Sequence, residues 1–64
     1  MNMLDQFTLL FVAENMTARA RAERILRDDA RRDGKLEIAT MHGDRAQAFS
    51  EAAAAIPSLT EADA

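Results

Sequence analysis

At 64 residues, with no Cys, Trp or Tyr and a formal charge of −3, the chain has no disulfide staple, no thiolate ligand or thiol nucleophile, and no phenol chemistry. A domain of this size buries only about 60% of the surface its unfolded chain exposes. Fourteen of its apolar residues are alanine, which leaves 17 larger ones to fill an interior. Self-association or a protein partner is therefore expected.

Residues 7–13 read FTLLFVA, apolar on every side and not along one stripe. A helix of that kind needs burial all round, whereas a short strand covered on both faces is ordinary, so the run predicts a strand. A rival reading makes Met3–Arg32 one long helix, with Leu4, Phe7, Phe11, Ala18, Ala22 and Ile25 roughly on one stripe. The run follows Asp5 and not a basic segment, and it falls far short of the ~20 apolar residues that span a bilayer. A cytoplasmic location is expected. Seven Arg against one Lys, with abundant Ala, suggest a GC-rich bacterial or phage coding sequence.

Residues 17–32 predict a helix, with Asn15 or Thr17 as its cap. At about 100° per residue, Ala18, Ala22, Ile25, Leu26 and Ala30 share one arc, expected to be buried, and Arg21, Arg24, Arg27, Arg31 and Arg32 share the opposite one. Arg19/Glu23, Glu23/Arg27, Arg24/Asp28 and Asp28/Arg32 have the spacing of helical ion pairs. Gly34 suits the left-handed stop that ends many helices.

Residues 35–41, KLEIATM, alternate with a period of two and predict a second strand. Asp44 and Gln47 resemble a capping box that opens a second helix. Ala46, Phe49, Ala52, Ala53 and Ile56 form one of its faces, and Pro57 closes it. Ser58 and Glu61 repeat the cap signature in a short tail. The expected organisation is a single domain over residues 1–57 with a tail over 58–64. Its expected fold is α/β, a strand-helix-strand-helix unit with a two-stranded parallel sheet. Two parallel strands leave open edges, which a partner or a second copy would complete. The alternative architecture is an all-α helical hairpin with a long first helix.

Two resemblances follow from these segments. The run LLFV, then Asn15, Ala22-Glu23, Leu26-Arg27, Ala30, Gly34 and Glu37-Ile38 resembles the opening strand, helix and second strand of the low-molecular-weight protein tyrosine phosphatases and related arsenate reductases. Ala13 stands where that family's nucleophilic cysteine follows the strand, and Ala18 falls at its phosphate-binding arginine, so the resemblance implies a relative without the mechanism. The strand TLLFV with His42-Gly43-Asp44-Arg45-Ala46-Gln47 resembles the C-terminal helicase lobe of DEAD-box proteins, whose later arginine-bearing motif has no counterpart here. Two unrelated families matching one segment share generic strand-helix-strand grammar, and no functional residue carries over from either.

His42 is the only histidine. Without a second His, a Cys or a carboxylate cluster it makes no metal site, because structural zinc takes four ligands and catalytic zinc three. It reads as a turn residue near a helix start. The scattered hydroxyls and carboxylates form no nucleophile motif and no acid/base pair, so neither catalysis nor a cofactor is expected.

The charge is nevertheless polarised. Residues 1–14 carry −2, residues 15–35 carry +3 and residues 36–64 carry −4. The first functional expectation is a small non-enzymatic interaction protein, an inhibitor, adaptor or accessory subunit, that binds through Phe49, Ala52, Ala53, Ala55 and Ile56 on the alanine-rich helix. The alternative is a nucleic-acid-binding or regulatory protein using Arg21, Arg24, Arg27 and Arg31, against which stand the acidic total and the lack of stacking aromatics. A third expectation is a degenerate phosphate-binding enzyme fragment, with the anion at Asn15 and Thr17 in front of the first predicted helix.

Overall fold

No glycine or proline interrupts residues 3–32, and Ala, Leu, Arg, Met and Glu, all strong helix formers, dominate the segment. The computed structural model, which describes residues 2–62, accordingly carries one continuous helix there, α1 (Met3–Arg32). Asn2 caps it, its Oδ1 accepting from the Asp5 amide at 2.9 Å. At the other end Gly34 adopts φ +76°. Its amide donates to the Arg31 carbonyl at 3.1 Å, and the Lys35 amide donates to Ala30 at 2.8 Å. This pair of reversed bonds is the Schellman arrangement, and it turns the chain through residues 33–35 into α2 (Leu36–Ala62). With so short a connection the two helices pack antiparallel along their length.

The α/β expectation is thus overturned in favour of the helical hairpin. No strand occurs among the described residues, and there is no two-stranded parallel sheet. Residues 7–13 are helical, and so are residues 35–41 except Lys35, which ends the turn. The first run looked like a strand on the premise that its bulk must be buried within the chain. In the hairpin Phe7 and Phe11 instead face outward, 63% and 68% exposed. In the second run the alternation carried no strand signal, because Leu36, Ile38 and Met41 stay exposed while the small Ala39 is buried. The phosphatase-like and helicase-like resemblances both need those strands and fall with them.

The internal boundaries move for the same reason. Asn15 and Thr17 lie inside α1 and cap nothing. Asn15 Oδ1 accepts from Arg19 Nε at 3.0 Å, and Thr17 Oγ1 donates back to the Ala13 carbonyl at 3.0 Å. Asp44 and Gln47 lie within α2, and Gln47 donates to Glu51, one turn on. Pro57 sits inside α2 and does not close it. Of the expected tail, residues 58–62 continue the helix and residues 63–64 lie outside the described residues.

The seam between the helices follows alternating steps of four and three. On α1 it runs through Leu9, Ala13, Met16, Ala20, Glu23, Arg27 and Ala30. On α2 it runs through Ala39, His42, Ala46, Phe49, Ala53 and Ile56, all of them buried or half-buried. Four of its alanines, Ala20, Ala30, Ala39 and Ala46, are almost wholly buried, and Ile56 is the one large apolar side chain among the described residues that joins them. Small residues at facing positions let two helix backbones approach closely. The consequence is a thin molecule whose Cα atoms span 48 × 15 × 9 Å. Among the described residues no helix is long and apolar enough to cross a membrane.

Candidate functional site

The hairpin carries two features that a plain helix pair does not need. One is a polar cluster inside the seam, and the other is an apolar face outside it.

The cluster joins the helices near their middle. Glu23 on α1 has a side chain only 10% exposed, and His42 and Arg45 on α2 close over it. His42 Nδ1 lies 2.5 Å from Glu23 Oε2 and the Arg45 guanidinium lies 3.1 Å from Oε1, so each carboxylate oxygen has a partner. A hydrogen bond from the ring to a carboxylate oxygen takes the tautomer with its hydrogen on Nδ1. The residues come together because His42 and Arg45 are three apart on one helix and so share a face. His42 is therefore a seam residue, not the turn histidine that the sequence suggested. Glu23 turns across the hairpin to these two groups, and Asp28 pairs with Arg27 at 3.0 Å while Asp29 pairs with Arg32, in place of the four expected i,i+4 pairs. No nucleophile adjoins the cluster. Among the described residues no three of His, Asp and Glu converge as a metal ion would require. Its chemistry is that of a polar contact that ties the two helices together, with Arg45 and Glu23 as its ion pair.

The apolar face is the reverse of what hydrophobic periodicity implies. Ala18, Ala22, Ile25 and Leu26, expected inside, are exposed, with Ile25 at 63%. Of that arc Ala30 alone is buried. The arginine arc, expected in solvent, supplies part of the seam. Arg24 is half-buried and donates to Ser50 Oγ at 2.7 Å. The Arg27 stem packs beside Gly43, where a Cβ would stand 3.3 Å from Arg27 Cδ. Turning this side of α1 inward leaves Leu4, Phe7, Phe11, Ala18, Ala22 and Ile25 on the side facing away from α2, roughly half a turn from the seam. Leu4 is 73% exposed. Phe11 also borders an open groove of about 440 Å³ between the helices, lined by Val12, Asn15, Met16, Arg19 and Phe49.

The residues singled out in sequence are dispersed by this arrangement. Of the expected protein-binding set, Ile56 is buried in the seam and Phe49, Ala52 and Ala53 are half-buried. Phe49 stacks under the Arg19 guanidinium at 5.9 Å, and Ala55 alone is exposed. Of the four arginines, Arg21 and Arg31 are exposed while Arg24 and Arg27 are engaged within the hairpin. The anion position at Asn15 and Thr17 has no helix N-terminus behind it, so its free amides do not exist. The sequence did contain the outer stripe, as the residues of the rival long-helix reading, but assigned it no role. Glu23 was hidden among expected surface pairs. The sole signal for it was the three-four spacing that it shares with Ala20, Arg27 and Ala30. No protein-family model, no curated protein and no solved structure matches this chain.

Proposed function

We infer that the chain is a small non-enzymatic interaction protein that acts by protein–protein binding, with the outer face of α1 as its binding surface. The observation that carries this reading is the exposure of Leu4, Phe7, Phe11 and Ile25 along one side of a single helix. Scattered apolar residues on a surface are ordinary, but a contiguous stripe of aromatic and branched side chains marks an interaction site. An amphipathic helix offers such a stripe to a groove or to another helix. The seam of the hairpin supports the same reading, since it buries mostly alanine and leaves the bulkier apolar side chains for another surface.

Affinity capture tests it, with the tagged chain as bait and its own second copy counted as a possible prey. The expected result is one protein retained in fixed proportion by the natural chain and lost by the double substitution Phe7→Glu/Phe11→Glu. A natural chain that stays monomeric and retains nothing overturns the reading.

A further inference from the structure

Resting on that reading, we propose that the outer face of α1 is covered by the same face of a second copy. The two α1 helices then run antiparallel, with Phe7 and Phe11 of each seated over Ala22 and Ala18 of the other.

Three observations select this occupant. The first is area. The chain exposes 4768 Å², whereas a folded monomer of its mass, 7.1 kDa, exposes about 4100 Å². The surplus of roughly 700 Å² approaches the ~800 Å² per partner that a standard interface buries. The second is shape. Along the stripe the bulky residues, Leu4, Phe7 and Phe11, occupy the N-terminal half, and the small ones, Ala18 and Ala22, follow before Ile25. An antiparallel register that sets Leu4 against Ile25 also sets Phe7 against Ala22 and Phe11 against Ala18, so each ring meets a methyl-sized hollow. A parallel pair stacks ring on ring at one end and leaves a gap between alanines at the other. The third is charge. Within the paired span residues 4–14 carry −2 and residues 15–25 carry +2, Arg19, Arg21 and Arg24 less Glu23, so antiparallel helices oppose unlike charges and parallel ones oppose like.

This register places the two-fold axis between residues 14 and 15. The same surface serves both copies, as a closed dimer requires, and because that face lies opposite the seam the product is a single row of four helices, α2–α1–α1–α2, with the two α1 helices at its centre.

Sedimentation equilibrium of the full chain is the test. The expected mass at micromolar concentration is twice 7.1 kDa, and Phe7→Glu/Phe11→Glu weakens the dimer by roughly a hundredfold or more. Both rings are exposed in the hairpin, so helical circular dichroism should survive the change. Should it not, Ile25→Lys repeats the test from the other end of the stripe. The chain has no cysteine, so Arg21→Cys on the flank accepts a single spin label, and the antiparallel register separates the two labels by about 20 Å along the axis. A monomer at all concentrations overturns the proposal, as does a dimer indifferent to the substitutions, or labels found side by side. A monomer that captures a different protein through the same face removes the second copy and leaves the protein-binding reading standing.

Discussion

Glu23 on α1 and His42 on α2 meet across the hairpin at 2.5 Å, with both side chains largely withdrawn from water. A carboxylate in that position is stabilised only while its partners stay in place, and desolvation makes the loss of one of them costly. His42→Leu keeps the volume but removes the donor, leaving Glu23 with Arg45 alone. The expected cost is about 1–3 kcal/mol in urea unfolding. Glu23→Leu combined with His42→Leu should recover most of it, since the one group left without its partner, Arg45, is more than half exposed to water. Singles within half a kcal/mol of the natural chain would show that the pair does not hold the seam.

Gly34 is the one described residue with positive φ, and a Cβ there would meet nothing within 4 Å. The whole penalty of Gly34→Ala is thus backbone strain, about 1–2 kcal/mol for a left-handed residue. Gly34→Asn should cost less, because asparagine tolerates that conformation. Thermal melts of the two variants check the order, and an alanine variant as stable as the natural chain would refute the turn geometry.

Gly43 behaves oppositely. It lies within α2 with ordinary helical φ, and the nearest obstacle to a Cβ is the flexible Arg27 stem at 3.3 Å. That stem can yield by a few tenths of an ångström, and the variant gains the helix propensity of alanine, about 1 kcal/mol at most. Gly43→Ala should therefore raise the melting temperature. A fall would mean that the seam at this point tolerates no added methyl group.

These residues also show what a sequence of this kind discloses. The Gly34 turn was legible because a left-handed stop leaves one residue type with almost no competition. The seam was legible on α2, where Ala46, Phe49, Ala53 and Ile56 belong to the expected face, but not along α1, where Ala20, Glu23, Arg27 and Ala30 are residues that a hydrophobicity pattern scores as weak or polar. The strong pattern on α1, from Leu4 to Ile25, describes the outer face. Periodicity reports which residues avoid water, and not whether their cover lies in the same chain. In a chain too small to surround its own apolar residues, that distinction decides the fold assignment. It turned residues 7–13 into an expected strand and put the arginines in solvent.

The alanine seam leads to an expectation that runs against simple core-filling. Ala46 is 2% exposed and Ala20 1%, on opposite helices of the seam. Ordinarily a larger apolar residue at a buried position adds transfer free energy, roughly 0.8 kcal/mol per methylene-sized group. Here the helices are close because those side chains end at Cβ, so a leucine has no space to enter without prising them apart. Separation would also lengthen the His42 to Glu23 contact and open the Arg24 to Ser50 bond, both of which depend on the present spacing. Ala46→Leu should therefore destabilise the hairpin by about 1–3 kcal/mol, as overpacking does elsewhere. Ala18→Leu, the same change on the outer face, should leave the hairpin's own unfolding within about half a kcal/mol. Unfolding both variants at a concentration low enough to keep the chain monomeric makes the comparison, and an Ala46→Leu chain more stable than the natural one would contradict close approach at the seam.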